Sequence, residues 1–308
     1  MEQQVDICIA SVGRSQLADL LGAIAKLDVP VHTTIRVVIA DDGPPGAVAK
    51  VVARSHGLDV VVVRGGGRNI AATRNATLEA ARGDWLAFVD DDTRPNPDWL
   101  LMFLTAIRSS NADGAIGRVI PDLELEAFCA AAYKNAFHHW PGLSGARLRT
   151  GWTSCAIVSG ARVRALGLRF DERLGRTGGE DTDFFARLSA SGGRLIACPE
   201  AVVREAIPSE RMTPSYVRAR AIRHGYDYAR STKRTHRARE RIAVYGRSLA
   251  KVMAFGSAAL LARPFLPAHS LSYRVRYWLA WGELRHLFAL PPPGPYAWAR
   301  KEIVSEQD

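Results

Sequence analysis

Residues 85–92 read WLAFVDDD, five apolar residues followed directly by Asp90, Asp91 and Asp92. The apolar run is rich in aromatic and branched side chains and stops at the carboxylates, which predicts a short buried strand. In an open α/β sheet, ligands bind at the carboxyl ends of the strands. The three aspartates are therefore predicted to lie at a ligand cleft.

Three adjacent carboxylates repel one another, and a nearby apolar core makes their ionised forms less stable still. A hard divalent cation relieves this repulsion, and Mg²⁺ typically takes one or two carboxylates together with substrate phosphates. The triplet therefore favours a site for Mg²⁺ or Mn²⁺. A solvated acidic turn after a strand is the alternative that this stretch alone leaves open.

Strand-like and helix-like patterns alternate around this run. Strand-like runs occur at 6–11, 35–40, 58–63 and 194–197, and helical spacing occurs at 47–56 and 70–81. Such alternation is typical of βαβ units, so the sequence predicts an α/β fold with a mixed, mainly parallel sheet and helices on both faces. Pro199 is expected to end the strand that begins at 194.

Polar residues follow the predicted strands. Asp41 and Asp42 end the second strand, and a run of glycines with Arg68 ends the third. The carboxyl ends of parallel strands meet at one edge of a sheet, so chemistry is expected to gather there. Later in the chain, residues 178–181 read GGED at the start of a predicted helix. The glycines allow close backbone approach to a ligand, although these carboxylates could instead only neutralise the helix dipole.

A nucleotide-activated sugar would use all of these groups. Its diphosphate needs a bridging cation, which Asp90 and Asp92 would hold. Arg68 and Arg74 carry planar guanidinium groups suited to phosphate or to stacking on a base. Transfer to an acceptor hydroxyl needs a general base within hydrogen-bond reach, and Asp181 is the candidate.

The order and spacing of these pieces resemble family 2 glycosyltransferases of the GT-A fold. The matching pieces are residues 8–14, 38–43, 68–75, 88–92 and 178–181, so the resemblance runs through the first 205 residues. In that family the Asp-x-Asp element binds the metal–diphosphate and the acidic pair after the second strand contacts the nucleoside. The late Glu-Asp pair supplies the base. The resemblance also implies inversion at the anomeric carbon by direct displacement.

Site residues follow from the resemblance position by position. It implies Asp90 and Asp92 as metal ligands and Asp181 as the catalytic base. The residues expected to bind the donor are Ser11, Arg14, Asp41, Asp42, Arg68, Arg74, Asp91, Gly179 and Glu180.

Two departures from the family pattern bear on how many sugars are added and on how many residues bind the metal. Processive members carry Gln-x-x-Arg-Trp after the base, whereas residues 218–224 here read RARAIRH, which favours addition of a single sugar. Some relatives place a histidine near the position of Arg204 and Glu205 as a further metal ligand, and this chain has none there. Through residues 178–185 and 199–203 the chain also resembles bacterial exopolysaccharide enzymes of the succinoglycan glucosyltransferase type. That likeness implies a UDP-sugar donor, UDP-glucose foremost, and a lipid-linked oligosaccharide or glycan acceptor.

Basic charge is concentrated at the end of the chain. Residues 206–308 hold 18 Lys and Arg against 7 Asp and Glu, a net of +11, while the first 205 residues hold 23 against 24, a net of −1. The sequence predicts a catalytic domain at 1–205 and a basic helical region at 206–308. A basic region favours a polyanionic partner. No nucleic-acid-binding module is recognisable, so nucleic acid is not expected.

An anionic membrane surface is the partner that the basic region favours. Five large apolar residues recur at helical spacing near arginines: Tyr277, Trp278, Trp281, Leu284 and Phe288. This pattern is typical of helices that lie in the plane of a bilayer. The predicted location is the cytoplasmic, inner face of the cell membrane. The alternative is a helical subdomain with a solvated basic face.

Cysteine spacing and the start of the chain bear on the compartment. Cys8, Cys129, Cys155 and Cys198 form no C-x-x-C pair, so neither zinc nor a disulfide framework is expected. The sequence passes from MEQQ straight into a strand-like run without a secretory signal, which favours the cytosol.

Two other function classes remain open from the residues alone. A nucleotidyltransferase can use a similar sheet and metal, but it usually has a glycine-rich basic first loop. Residues 11–15, SVGRS, contain one glycine and one arginine. A non-catalytic nucleotide-sugar-binding protein on the same fold is the other alternative.

Overall fold

The computed structural model describes residues 2–53, 57–122, 137–264 and 267–290. The described residues divide into two compact units, one within residues 1–120 and 139–206 and the other within residues 121–138 and 207–308. The sequence predicted a single division after residue 205. In the structure the described residues 121, 122, 137 and 138 also fall in the second unit.

A nine-stranded sheet forms the first unit. Its strands are β1 (Gln3–Ser11), β2 (Thr33–Asp41), β3 (Val60–Arg64), β4 (Trp85–Val89), β5 (Thr93–Pro95), β6 (Gly114–Asp122), β7 (Arg147–Leu148), β8 (Cys155–Ser159) and β9 (Leu195–Ala206). Its helices are α1 (Gln16–Ile24), α2 (Ala47–Val52), α3 (Ile70–Ala80), α4 (Trp99–Ser110), α5 (Gly160–Ala165) and α6 (Glu180–Ala190).

The sheet has a parallel half and a half that contains antiparallel pairs. β3, β2, β1 and β4 lie side by side in that order, and each neighbouring pair is parallel. The sheet continues through β8, β6, β9 and β5, and β8 is antiparallel to both β4 and β6. The predicted α/β architecture is confirmed. The strands whose ends carry the candidate site residues lie in the parallel half.

Alternate residues of the strands pack on opposite faces of the sheet. Val89 of β4 lies in one buried cluster with Leu20 of α1 and Phe103 of α4. Phe88 faces the other way, in a second cluster with Phe184 of α6. Because successive side chains of a strand point to opposite faces, one continuous apolar run serves both clusters. Helices therefore cover both faces, as predicted.

Two predicted elements differ from those observed. The strand expected at 194–197 runs from Leu195 to Ala206 and passes through Pro199. Proline was expected to end it because proline has no N–H to donate to a ladder. β7 and β5 pair with opposite ends of β9, on either side of that proline. The helix expected at 47–56 ends at Val52, and residues 54–56 lie outside the described residues.

Three long helices build the described part of the second unit. They are α7 (Pro214–Thr235), α8 (Ala238–Ala262) and α9 (Pro267–Leu287). α9 packs on both α7 and α8. A Cβ added at Gly225 would collide with the Leu279 carbonyl, and one added at Gly282 would collide with that of Ile222. These two glycines therefore allow the backbones of α7 and α9 to approach closely.

The apolar face predicted for residues 277–288 is largely internal. Trp278 and Leu284 are buried, and Trp278 packs in a cluster with Ile222 of α7. Only Phe288 among the five predicted residues is a large exposed side chain. The prediction that this stripe faces lipid is thus wrong for Trp278 and Leu284. Helical spacing marks an apolar face without showing whether lipid or another helix covers it.

Neither a membrane-spanning helix nor a disulfide is found in the described part of the chain. No helix there is both long and apolar enough to cross a bilayer. Cys8, Cys155 and Cys198 are buried free thiols, and Cys129 lies outside the described residues.

Candidate active site

The candidate site lies where the parallel strands end. β1 ends at Ser11 and β2 at Asp41, and these two residues are partners in the parallel register. On the other side of β1, Phe88 of β4 pairs with Cys8, which brings the residues after Val89 to the same edge. The sheet topology therefore brings together residues some 80 positions apart in the chain.

Asp91, the middle aspartate, points inward and fixes the triplet. Its Oδ2 accepts a hydrogen bond of 2.7 Å from the buried Ser11 hydroxyl, which in turn accepts one of 3.0 Å from the Gly13 N–H. Arg14 Nη1 lies 3.4 Å from Asp91 Oδ1 and 3.6 Å from Asp92 Oδ2. Burial raises the pKa of Asp91, and the Ser11 bond and Arg14 oppose that rise. Ser11 and Asp91 thus hold each other in place.

The two outer aspartates suit a divalent cation. The side chains of Asp90 and Asp92 are 39% and 18% exposed, in contrast to that of Asp91 at 8%. Within the described ranges no group of three or more Asp, Glu, His or Cys side chains could hold a metal. Mg²⁺ usually binds through one or two carboxylates plus substrate phosphates. A pair of partly exposed oxygen donors fits that manner of binding.

The acidic pair after β2 is tied to backbone N–H groups. Asp41 Oδ1 accepts a bond of 3.0 Å from Gly43 N–H. Both carboxylate oxygens of Asp42 accept from the backbone N–H of Arg68, at 3.0 Å each. Arg68 has a left-handed φ of 63° and an exposed side chain. Asp42 therefore fixes the glycine-containing turn that was predicted to contact the nucleotide.

Arg74 joins the aspartate triplet to the Glu-Asp pair. Its Nη2 lies 3.1 Å from Asp90 Oδ1, and its Nη1 forms an ion pair with Glu180 Oε1. The guanidinium lies over the Phe170 ring, with Cζ 5.9 Å from the ring centroid. Burial alone would lower the pKa of Arg74, but Glu180, Asp90 and Asp181 raise it above its ordinary value. A permanently charged fork thus connects the two acidic elements.

The Glu-Asp pair opens α6 directly after two left-handed glycines. Gly178 and Gly179 have φ of 90° and 84°, and Gly179 is the N-cap residue. Glu180 is buried, and burial raises its pKa to about 7 against the pull of Arg74. Burial also raises the pKa of Asp181, whose Oδ1 accepts a bond of 2.6 Å from Thr182 N–H. A raised carboxyl pKa suits a group that takes up a proton.

Sequence reasoning assigned no role to two asparagines that build the site. Asn75 Nδ2 donates to Phe170 O and to Glu172 Oε1, both at 3.0 Å, and its Oδ1 accepts from Phe170 N–H at 2.8 Å. Asn69 caps α3 and donates to Glu172 O at 2.9 Å. Together they fasten α3, which carries Arg74, to the loop before the glycine pair. The sequence did hold a signal, because Asn69 directly precedes the helix predicted at 70–81 and Asn75 lies inside it, where asparagine is disfavoured.

The structure thus brings most of the predicted residues to one edge of the sheet. Direct contacts join Ser11, Arg14, Asp90, Asp91, Asp92, Arg74 and Glu180, and Asp181 follows Glu180. Asp42 and Arg68 contact each other, and Gly179 precedes Glu180 at the start of α6.

Comparison with known proteins agrees with this geometry. The profile of Glycosyl transferase family 2 matches residues 7–163. The succinoglycan biosynthesis protein ExoM of Rhizobium meliloti is 32% identical over 239 residues, which cover 73% of this chain and 74% of that protein.

Two solved structures share the fold. A mannosyltransferase from Pyrobaculum calidifontis, solved with GDP-Man and Mn²⁺, superposes with a TM-score of 0.61 at 20% identity, over 94% of this chain and 88% of that one. Residues 1–349 of Staphylococcus aureus TarS, solved with UDP-GlcNAc, give 0.54 at 14% identity, over 94% and 93%. The profile match covers about half of this chain, and the Rhizobium protein is similar over nearly three quarters of it. The chain therefore belongs to glycosyl transferase family 2 and is a glycosyltransferase.

Proposed function

We propose that this glycosyltransferase moves one sugar from a UDP-sugar, with UDP-glucose the expected donor, to a lipid-linked or glycan acceptor in bacterial polysaccharide biosynthesis. The likeness to a succinoglycan biosynthesis protein supports the pathway class. The two structural neighbours were solved with different nucleotide sugars, UDP-GlcNAc and GDP-Man, so the uridine donor rests on the sequence resemblance.

The observation that carries the proposal is the double ion pair of Arg74. One guanidinium contacts both Asp90 of the aspartate triplet and Glu180 of the Glu-Asp pair. The element expected to hold the diphosphate and the element expected to supply the base therefore lie within one side chain of each other. Direct displacement needs that proximity, because the leaving group and the attacking hydroxyl must both be held at one carbon.

Asp90 and Asp92 would hold Mg²⁺ or Mn²⁺ with the donor diphosphate. When bound, the ion would neutralise the negative charge that develops on the departing diphosphate. Ser11 and Arg14 keep Asp91 turned inward, which leaves the outer carboxylates on the partly exposed side of the triplet. The neighbour from Pyrobaculum was solved with Mn²⁺, which supports a divalent cation in this fold.

Asp181 would take the proton of the acceptor hydroxyl as that oxygen attacks the anomeric carbon from the side opposite the diphosphate. Its raised pKa increases its proton affinity, and Arg74 keeps the carboxylate form accessible. Glu180 is paired with Arg74 and buried, so it supports the site without being placed to receive that proton.

The protein would work on the cytoplasmic, inner face of the cell membrane, where a lipid-linked acceptor is presented. The net charge of +11 on residues 206–308 supports attraction to an anionic lipid surface.

A thermal-shift and donor-hydrolysis panel tests the donor and the metal. UDP-glucose, UDP-GlcNAc and GDP-mannose are each added with Mg²⁺, Mn²⁺ or EDTA. We expect protection and slow hydrolysis with a UDP-sugar plus metal, and neither with EDTA. If GDP-mannose protects and neither UDP-sugar does, the proposal of a uridine donor is rejected. If protection persists in EDTA, the proposal of a metal-dependent donor site is rejected.

Asp92→Ala is the matching variant, and Asp19→Ala on the exposed side of α1 is its control. We expect Asp92→Ala to abolish the metal-dependent part of the protection and Asp19→Ala to retain it. Unchanged protection in Asp92→Ala would reject Asp92 as a ligand.

A further inference from the structure

A row of large apolar side chains is exposed along α8. Ile242, Leu249, Met253 and Leu260 are 72%, 56%, 67% and 70% exposed. Their spacings of 7, 4 and 7 residues place all four on one face of a helix. At 1.5 Å per residue the row is about 27 Å long. Isolated exposed apolar residues are ordinary, but four aligned on one helix face indicate a docking surface.

The opposite face of α8 is fixed against the rest of the helical unit. Val244, Ser248 and Ala259 are buried, and the Ser248 hydroxyl binds the carboxylate of Glu283 on α9. The Ser270 hydroxyl of α9 donates to Ala259 O at 2.9 Å. The orientation of α8 is thus set by its buried side, and the exposed row cannot turn inward without breaking these contacts.

Positive charge borders both ends of the row. The exposed Arg239 and Arg263 lie three positions from Ile242 and Leu260, so each shares a helix face with one end of the row, and residues 241–262 contain no Asp or Glu. A cavity of about 320 Å³ lies at the start of α8, beside the last turns of α7 and α9. It is lined by Lys233, Arg241, Tyr245 and His286 together with apolar side chains that include Ile242 of the row. The Tyr245 hydroxyl lies 3.3 Å from His286 Nδ1. Such a cavity offers several donors and cations to a phosphate group.

We infer that this α8 face docks on an anionic lipid bilayer, with the apolar row entering the acyl boundary and the bordering cations contacting lipid phosphates. Apolar residues on one side and Lys or Arg beside them are what in-plane helices present to a membrane. An acidic protein partner would need an apolar groove about 27 Å long beside its carboxylates, whereas a bilayer offers acyl chains beneath its phosphates along the whole row. This inference rests on the proposed membrane location and is independent of the proposed donor and metal.

Co-flotation of the full chain with vesicles of phosphatidylcholine, with and without phosphatidylglycerol, tests the inference. The variant is Leu249→Ser/Met253→Ser/Leu260→Ser. Its control is Val31→Ser/Leu143→Ser, which removes two apolar side chains of the α/β unit that are even more exposed than those of the row. We expect the triple variant to bind anionic vesicles about 100-fold to 1000-fold more weakly, since each of the three aliphatic chains withdrawn from hydrocarbon costs about fivefold to tenfold. The control should bind like the wild type.

A second variant, Arg239→Gln/Arg263→Gln, tests the charges, with Lys26→Gln/Arg108→Gln as its control. All four side chains are exposed. We expect about fivefold weaker binding per α8 charge removed on anionic vesicles. Wild-type binding in the triple variant, or no binding of the wild type to anionic vesicles, would overturn the inference. So would a wild-type dimer that the triple variant converts to a monomer without loss of vesicle binding, because a second copy would then cover the row.

Hydrolysis of a soluble UDP-sugar is measured on every variant. Lost flotation with intact hydrolysis supports docking through α8. Absent hydrolysis in a wild type that floats would count against the proposed donor and leave the docking surface standing.

Discussion

Arg74 is the single residue on which the candidate site depends most. Its side chain is only 11% exposed, and its two terminal nitrogens contact carboxylates from two distant parts of the chain. Lysine carries the same charge but lacks the planar fork, so it cannot hold both carboxylates in the same geometry.

Arg74→Met leaves Glu180 buried without its cation. We expect the free energy of unfolding at pH 8 to fall by about 3–5 kcal/mol, the usual cost of breaking a buried ion pair. The deficit should shrink at pH 5.5, because a protonated Glu180 no longer needs the cation. Urea unfolding at both pH values measures this, and a deficit independent of pH would contradict it.

Glu180 should make wild-type stability depend on pH. Its pKa is raised from 4.5 to about 7, so the folded state binds more protons than the unfolded state between those values. The contribution of Glu180 to the free energy of unfolding should therefore be fully present below about pH 4.5. It should be lost as pH rises through 7, a fall on the order of 3 kcal/mol. Glu180→Gln should remove this slope. If the free energy of unfolding of both proteins changes equally across pH 5–8, the pH dependence does not come from Glu180.

Asp181→Asn tests the base. We expect turnover to fall about 10²- to 10⁴-fold while donor affinity stays unchanged, because only the proton acceptor is removed. Steady-state kinetics and donor titration measure the two effects, with Asp19→Asn as the exposed control. Wild-type activity should rise with pH through a midpoint above 3.8, because burial raises the pKa of Asp181. Turnover in Asp181→Asn equal to that of the wild type would dismiss the role.

At the scale of one element, the start of α6 is set by its two glycines. Both have left-handed φ values, and the helix then begins with Glu180 and Asp181 at its positive end. That backbone geometry is strained for any residue that carries a Cβ. The position of the acidic pair therefore depends on glycine at residues 178 and 179.

Gly179→Ala should destabilise the protein by about 1–2 kcal/mol, the cost of a left-handed L-residue. Gly22→Ala is the control, because Gly22 lies within α1 with open space around its Cα. It should stabilise the protein by about 0.5–1 kcal/mol. Thermal unfolding of both variants gives the comparison, and equal signs would argue against the strained turn.

At the scale of the whole molecule, charge is divided between two parts of the chain. The first 205 residues carry a net charge of −1 and the remainder a net charge of +11. Any attraction to anionic lipid is therefore confined to the C-terminal part. Ionic strength shortens the reach of such attraction, from about 10 Å at 0.1 M to about 3 Å at 1 M.

Vesicle binding should therefore fall steeply with salt. We expect the fraction bound to anionic vesicles to drop severalfold between 0.05 M and 0.5 M NaCl. The weaker binding to neutral vesicles should stay constant, because the α8 row acts without charge. Flotation at a series of salt concentrations measures this. Salt-independent binding to anionic vesicles would show that the basic residues take no part.

The sequence by itself determined the strands that end in carboxylates, the glycine pair before α6 and the charge division, because these are local patterns of residue type. Strand alternation was enough to predict the sheet, and the order of short motifs was enough to predict the family. It could not place Asn75, whose partners lie 95 and 97 positions away, or reveal that Arg74 joins Asp90 to Glu180.

Only the tertiary structure decided which apolar helix face is covered. Helical spacing predicted residues 277–288 as an exposed surface and by itself does not distinguish them from the α8 row, since periodicity reports a face and not its neighbour. α9 packs on two helices, so Trp278 and Leu284 became core, while α8 is fixed from one side and leaves Leu249 and Met253 in solvent. Burial is a property of packing between elements distant in sequence, and it is therefore settled only when the chain has folded.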